Sequence, residues 1–509
     1  MSQNNKIGVA RSVVRSAVTL RVYRLFPAMN NVSTVQVSDA MLALAFVGDL
    51  SKGQPTNHSV RTARLAALLA AEDGAGEDEC DATYSVALLR WSGCTANAAG
   101  FGELLGDDVA GRRSMASGLQ PLFNVSRDQL FPLAQIHCEV SGDIAVMLGM
   151  PGAVESGLRN IFETYDGKGI PGLLKHPQVP ASVYRVTLAG DLEALSRIHG
   201  IDAALSYVVS RGNVKYPGEM VQLLNRFARD WLALLSSDES QPPDFRVSAA
   251  TASTAIPLTL VADVIDLKLP WLAGYSRQVA ELARSAAALQ GLAPIIQEQI
   301  YRAGLIHGIG RAAIPNWVWN TPGRLDASAW EQIRLAPYWT WRAAHQIPDL
   351  TLEVDLASRA YERQNGTGYF RGLADEAITL PQRTLATAVA WSALCSSRPW
   401  RTPFSKEDAG ALLRDEARQG RFDPVIVDAV LAATSGQRLK PLAKTATVLT
   451  DREAEVLARI SLGESNKEVA RQLAVSPSTV RTHVESIFRK LECSTRAAAT
   501  LKAYTLGII

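Results

Sequence analysis

The chain repeats itself, and that repeat constrains its fold more than any other feature. Val47-Gly48-Asp49-Leu50 is matched by Val264-Ile265-Asp266-Leu267, and nine residues after each aspartate stands His58-Ser59 or Tyr275-Ser276. Leu88-Leu89-Arg90-Trp91-Ser92-Gly93 lines up with Leu305-Ile306-His307-Gly308-Ile309-Gly310 at the same offset, about 217 positions. Further on, Glu163-x-x-Asp166-Gly167-x-Gly169 lines up with Glu362-x-x-Asn365-Gly366-x-Gly368 at an offset near 199. Self-similarity at a long offset implies a duplicated structural unit, and one change of loop length accounts for the two offsets.

Within each unit the apolar residues keep a helical rhythm. Met41-Leu42-x-Leu44-Ala45, Val60-x-x-Ala63-x-Leu65-Ala66-x-Leu68-Leu69 and Ile144-Ala145-Val146-Met147-Leu148 show the 3.6-residue period of helices with one buried face. Strand-like alternation is scarce, so both units are predicted to be all-α, the first over residues 37–235 and the second over residues 256–435. Residues 236–255, rich in Ser, Asp, Glu, Gln, Pro and Ala, are predicted as a linker, as is the basic stretch 436–448. Residues 1–36, punctuated by Lys6, Arg11, Arg15, Arg21 and Arg24, are predicted as a flexible basic extension. No apolar run reaches the roughly eighteen residues of a membrane span, which predicts neither export nor a membrane anchor. Cys80, Cys94, Cys138, Cys395 and Cys493 show no paired spacing, which argues against a disulfide framework or a zinc knuckle and for a reducing cytoplasm. The net charge is only +2, so a polyanionic partner must be met by a local positive field.

The last sixty residues supply such a field. Ser465 with Glu468, and Thr450 with Glu453, form capping boxes. Ser476 is a good N-cap followed by Pro477 at the first helical position. Val469, Ala470 and Leu473, with Val480, Val484, Ile487 and Leu491, recur at spacings that hold two short helices together across a tight turn. The second helix, a rod roughly 24 Å long at 1.5 Å per residue, carries Arg481, Thr482 and Glu485 on its far face. Such a rod fits a major groove, where arginine pairs with guanine, glutamate accepts from cytosine and threonine touches a thymine methyl. Lys467, Arg471, Arg489, Lys490 and Arg496 are available to phosphates.

Residues 449–509 resemble the LuxR-type helix-turn-helix domain through Leu449-Thr450-x-Arg452-Glu453, Ser465-Asn466-Lys467-Glu468-Val469-Ala470, Thr479-Val480-Arg481-x-His483 and Lys490-Leu491. The resemblance implies a four-helix domain bound to double-stranded DNA. The residues predicted to touch the duplex are Lys467, Thr479, Arg481, Thr482, His483, Glu485, Arg489 and Lys490, with Arg481, Thr482 and Glu485 as base readers.

The duplicated units resemble the HD-GYP phosphodiesterase domain, an all-helical fold whose active members hold two or three metal ions and hydrolyse cyclic dinucleotides. The resemblance implies ligands from an early His, a His-Asp dyad, a later His, a His-His pair before the Glu-x-x-Asp-Gly-x-Gly loop, and a distal Asp. In the first unit His58, His137 and Asp191 stand at three of these positions, but the dyad reads Arg90-Trp91 and the pair Ile161-Phe162. A cationic Arg90 repels a divalent ion, and Arg90 is expected to pair with Asp191. In the second unit Tyr275, Gly308, Ala336, Ala360, Tyr361 and Val389 replace ligands, leaving His307. The Gly366 and Gly368 loop is expected to be a turn with positive φ.

The sequence therefore predicts an all-α chain, two tandem degenerate HD-GYP-like domains followed by a LuxR-type domain, with no catalytic residues, no metal ligands and no cofactor. The expected role is a transcription regulator, a homodimer because such small readers pair on half-sites. A small effector is expected in the vacated cavity around His58, Arg90, Trp91, His137 and Asp191. Two alternatives stay open: a metal-dependent cyclic-dinucleotide phosphodiesterase fused to a DNA-binding domain, and a ligand-free oligomerisation scaffold.

Overall fold

The computed structural model describes residues 33–116, 125–237, 249–435, 449–505 and 508–509. Most of the predicted N-terminal extension (residues 1–32), the centre of the first linker (238–248) and the second linker (436–448) lie outside the described residues. What remains of the first linker is ordered, as the short helix Ala249–Ala252 and the strand Ala255–Pro257. That strand pairs with Thr34–Gln36 in a two-stranded sheet, so regular structure begins three residues before the predicted boundary at Val37. The pairing buries Val35 and Ile256 and is extended by a bond from Val37 N–H to Thr254 O (2.9 Å).

Helices begin where side chains satisfy their first amides. Ser126 Oγ accepts from Gln129 N–H while Gln129 returns a bond to Ser126 N–H (2.9 Å), starting the long helix Arg127–Met147. The two boxes expected near the C-terminus are formed. Thr450 N–H donates to Glu453 and Ser465 N–H to Glu468, each at 2.7 Å. Ser476 caps Pro477–Lys490 through Thr479 N–H (3.0 Å). The turn before it is made by Ala474 at φ +53°. This left-handed residue lets Val475 N–H reach back to Ala470 O (3.0 Å) and end the helix Asn466–Gln472.

The repeat in the sequence is a repeat in hydrogen bonding. Asp49 accepts from both the N–H and the hydroxyl of Ser59 (3.0 and 2.6 Å), and Asp266 does the same for Ser276 (2.8 and 2.7 Å). Gly93 N–H donates to Ser141 Oγ, and Gly310 N–H to Thr340 Oγ1, both at 3.0 Å. Glu163 receives the amides of Gly172 and Leu173; Glu362 receives those of Arg371 and Leu373. In the glycine loops only the first glycine needs its left-handed φ, +74° at Gly167 and +78° at Gly366. Gly169 and Gly368 are required for closeness, because a Cβ there would lie 2.4 Å from Phe162 O or 2.3 Å from Arg363 N.

The two units share a single apolar core running from Val35 to Val389, with Phe46, Leu89 and Leu188 of the first unit continuous with Val264, Leu305 and Leu385 of the second. A buried ion pair between Asp108 and Lys268 joins them; Asp108 also accepts from Asn316 N–H (2.7 Å). The last four helices, Asp451–Ser461, Asn466–Gln472, Pro477–Lys490 and Arg496–Thr505, enclose a second core of Leu457, Ile460, Val469, Val480, Val484, Ile487 and Leu491. The final helix serves both cores: Ala499 and Ala503 face the four-helix domain, whereas Ala498 and Leu501 are buried in the helical body.

Candidate functional site

Along Pro477–Lys490 the residues Thr479, Arg481, Thr482, Glu485 and Arg489 are exposed on one face, while Val480, Val484 and Ile487 are buried beneath them. Arg481 Nε bonds Glu485 Oε1 at 2.9 Å. Both partners are exposed, and such surface pairs contribute little, so the guanidinium can exchange the carboxylate for a base edge at small loss. Thr482 is exposed and its Oγ1 donates to Ser478 O (3.1 Å), and Lys467 is exposed at the start of the preceding helix. His483 is half-buried. Thr479 is tied into the cap, its hydroxyl 2.8 Å from Ser476 Oγ.

Two cations expected on phosphates are instead structural. Lys490 Nζ donates to Glu453 Oε2 (2.6 Å), and Ser486 donates to the other oxygen (2.7 Å). Burial would raise the Glu453 carboxyl, but the bonds from Lys490, Thr450 and Ser486 outweigh it and hold it at about 2. Arg496 is spent on Glu464 O (2.6 Å) and Asn466 Oδ1 (2.5 Å), fastening the final helix to the second.

The four-helix domain rests on the helix Arg127–Met147. Ser494 donates its N–H and hydroxyl to Glu139 (2.9 Å for the hydroxyl), Gln135 Nε2 donates to Ser494 Oγ (3.3 Å), and Lys502 Nζ lies 3.2 Å from Asp143 Oδ2. The opposite face of that helix presents Leu130, Ala134 and His137 to a cavity. At about 100° per residue, Gln135, Glu139 and Asp143 lie half a turn away from Leu130, Ala134 and His137. One rigid element thus touches the cavity with one side and the terminal domain with the other.

The candidate effector residues divide among three places. His58, Arg90 and their neighbours form a closed, buried network. Arg90 donates to His58 Nε2 (2.6 Å), Thr62 Oγ1 (3.1 Å) and Val186 O (3.3 Å), and His58 Nδ1–H donates to Glu193. Arg61 and Arg197 also reach Glu193. Burial, with the charge of Arg90, holds the His58 imidazole down at about 4 against the pull of Glu193, so the ring is neutral and relays a bond between guanidinium and carboxylate. Burial also lowers Arg90 to about 10. Asp191 stands elsewhere, held by the Tyr216 hydroxyl and by Lys215 Nζ. The expected Arg90–Asp191 pair is therefore not made; Arg90 reaches its carboxylate, Glu193, through His58. Trp91 and His137, by contrast, line a cleft of about 580 Å³ including its open mouth, together with Lys52, Phe101, Arg112 and Phe162. His137 Nε2–H donates to Arg90 O (2.7 Å), and burial pushes its ring down to about 3.

In the second unit His307 donates from Nδ1 to Gly304 O (2.6 Å) and accepts from Arg311 at Nε2 (2.7 Å), and Arg311 also bonds Tyr361 Oη (2.9 Å). Burial, then Arg311, keep this ring far below the usual histidine range.

Comparison with known proteins matches this geometry to two families. Residues 259–426 match the family described as "HD domain", and residues 447–503 match "Bacterial regulatory proteins, luxR family". The chain carries an HD domain and a LuxR-family DNA-binding domain. The 3'3'-cGAMP-specific phosphodiesterase 3 of Vibrio cholerae is 24% identical over 420 residues, spanning 75% of this chain and 91% of that protein. The cyclic di-GMP phosphodiesterase response regulator RpfG of Xanthomonas campestris is 30% identical over 177 residues, 34% of this chain and 46% of the relative. The probable transcriptional regulatory protein NarL of Mycobacterium tuberculosis is 39% identical over 106 residues, 19% of this chain and 48% of the relative. A solved structure of a cyclic GMP-AMP-specific phosphodiesterase from V. cholerae superposes with TM-score 0.57 at 21% identity, over 80% of this chain and 99% of that one, and shares the fold.

Active HD-GYP-type sites need several free imidazole and carboxylate donors converging on one point. The residues present do not fit that requirement. Both nitrogens of His58 are engaged, one by a guanidinium, and Asp191 is capped by a lysine and a tyrosine. His137 turns its Nε2 to a backbone carbonyl, and its Nδ1 lies 3.8 Å from Cys94 Sγ. In the HD domain of the second unit, Arg311 occupies both the free nitrogen of His307 and the hydroxyl of Tyr361. Glu193, Lys52, Arg112 and Arg311 were not singled out from sequence.

Proposed function

We propose that this protein is a DNA-binding transcription regulator in which the helical HD-type body is a sensing and dimerising platform and not a phosphohydrolase. The observation that carries the reading is the helix Arg127–Met147, with the cavity on one face and the docked LuxR-family domain on the other. A ligand that shifts this helix changes the contacts of Glu139 and Asp143 and so biases the position of the reader, whose base-reading face is exposed. Small helix-turn-helix domains reach specific sites by pairing on half-sites, and a reader fastened to its body has a restricted reach.

The test is to select duplexes from a random library with the full chain and compare affinities of wild type and Glu139→Ala at fixed salt. Release of the reader is expected to tighten binding about fivefold or more, the lower end of typical coupling energies. Equal affinities would refute the coupling. The phosphodiesterase reading is favoured by the names of the relatives, among them a cGAMP-specific enzyme matched over most of its length. Incubation of the manganese- or iron-loaded protein with 3'3'-cGAMP decides it: turnover would overturn the pseudoenzyme part of the proposal.

A further inference from the structure

The cleft beside the buried network carries a charge pattern that the regulator reading does not use. Among the described residues its charged side chains are Lys52 and Arg112, both cationic, with no acidic side chain in the lining. Lys52 Nζ sits 3.5 Å above the centre of the Trp91 ring. Among the described residues Lys52 Nζ has no carboxylate within ion-pair reach and no hydrogen-bond acceptor. Arg112 is 3% exposed, stacks 4.5 Å from the Phe101 ring, and braces Ser51 O (3.3 Å) and Asn97 Oδ1 (2.5 Å), yet its Nε has no partner. The indole N–H of Trp91 is also buried without an acceptor. Buried donors left unanswered are rare and unfavourable, and here two of them, with the half-buried Lys52 beside them, belong to side chains that line one cavity.

The rest of the wall is flat and apolar. Trp91, His137 and Phe162 contact one another at ring-centre distances of 5.0–6.2 Å, and Phe101 closes the cationic side. With its mouth left out the cleft holds about 150 Å³, the size of a cavity that takes benzene. It suits a single ring bearing one small anionic group.

We infer that this cleft is a binding site for a small aromatic anion, a ring bearing a carboxylate or a phosphate, with the anionic group on Lys52 and Arg112 and the ring among Trp91, Phe101 and Phe162. The inference rests on the reading of the helical body as a sensor and names the chemical class it senses. A cation already packed on an aromatic face gains most from an anion that answers its free N–H bonds, because charge-assisted hydrogen bonds are about twice as strong as neutral ones. Burial has lowered Lys52 to about 8, so a bound anion restores the solvation that the ammonium lacks. Arg112 is fixed by its bonds to the backbone and to Asn97, which makes it the rigid half of the anion clamp, whereas Lys52 is the adjustable half.

Isothermal titration of the full chain with salicylate and with phenyl phosphate tests the site, with salicylamide as the uncharged counterpart. At least one anion is expected to bind, and salicylamide at least about tenfold more weakly than salicylate, the equivalent of 1.4 kcal/mol. Lys52→Met, which breaks no hydrogen bond of the Nζ, is expected to lower anion affinity by about tenfold or more, and Lys52→Arg to retain most of it. Binding of neither anion, equal binding of salicylamide, or undiminished binding by Lys52→Met would each overturn the inference. Lys52-dependent binding of 3'3'-cGAMP with none of the small anions would overturn the size class. DNA affinity measured on the same samples separates the two readings. Anion binding that leaves DNA affinity unchanged supports the site and overturns the sensing role.

Discussion

Gly190 decides whether a guanidinium fills the heart of the first unit. It lies inside the helix Ala181–His199, where alanine is normally preferred to glycine by about 1 kcal/mol. Yet a Cβ at Gly190 would lie 1.9 Å from Arg90 Nη1 and 2.8 Å from its Cζ. The guanidinium cannot step aside without giving up bonds to His58, Thr62 and Val186. Overpacking of this kind costs about 1–3 kcal/mol, and stranding a buried polar partner costs about 1–3 more. Against the helix gain of about 1 kcal/mol, Gly190→Ala is expected to destabilise the body by about 1–5 kcal/mol. The assay is urea unfolding followed by intrinsic fluorescence, in wild type and in an Arg90→Met background. With Met at position 90 the flexible side chain yields, and the same Gly190→Ala change is expected to be neutral or to stabilise by up to about 1 kcal/mol. A Gly190→Ala protein more stable than wild type, or an equal effect in both backgrounds, would refute the placement of Arg90.

Two further outcomes follow from the site geometry. Burial pushes Asp49 and Asp266 each up to about 7, against the bonds from Ser59 and Ser276 that favour the carboxylate. The folded state then holds protons that an unfolded aspartate, with its ordinary value of 3.8, has released. The stability this confers is full below 3.8 and is lost as pH rises through about 7. Asp49→Asn and Asp266→Asn are each expected to flatten the fall of the urea midpoint between those pH values; an unchanged slope contradicts the protonated state. In the reader, Arg481→Ala is expected to weaken binding by about 1–3 kcal/mol and to relax preference at one base position, read by repeating the duplex selection with the variant. A uniform loss across all sequences would make Arg481 a phosphate contact instead.

The terminal domain was readable because its determinants are local. Ser465 with Glu468, Thr450 with Glu453, and Ser476 before Pro477 each act within four residues, and the stripe from Val469 to Leu491 closes its own core. The bonds of Asp49 to Ser59 and of Asp266 to Ser276 were visible for a different reason, because both residues of each pair recur in the repeat. The interior of the first unit was harder. Asp191 and Glu193 differ by two positions, which on a helix is about 200°, and charge alone does not say which one faces Arg90. The pair between Asp108 and Lys268 joins residues 160 positions apart and leaves no trace in local pattern. Lys52 and Arg112 belong to no motif; only the fold brings them to Trp91 and Phe101.

The shared core has a consequence for how the chain comes apart. Sequence borders fall between the units, but Val35 through Val389 belong to one apolar cluster, and Ala498 and Leu501 from the far end of the chain are buried in it too. A border of homology is then not a border of unfolding. Native-state opening proceeds through units defined by contacts, so the two halves of the duplication are expected to lose protection together, while Asp451–Lys490 opens on its own terms. Cutting the chain after residue 448 removes the cover from a patch of the body and exposes Ala498 and Leu501 on the severed piece. The duplication has ceased to be two modules, and the reader is anchored as part of the body it terminates.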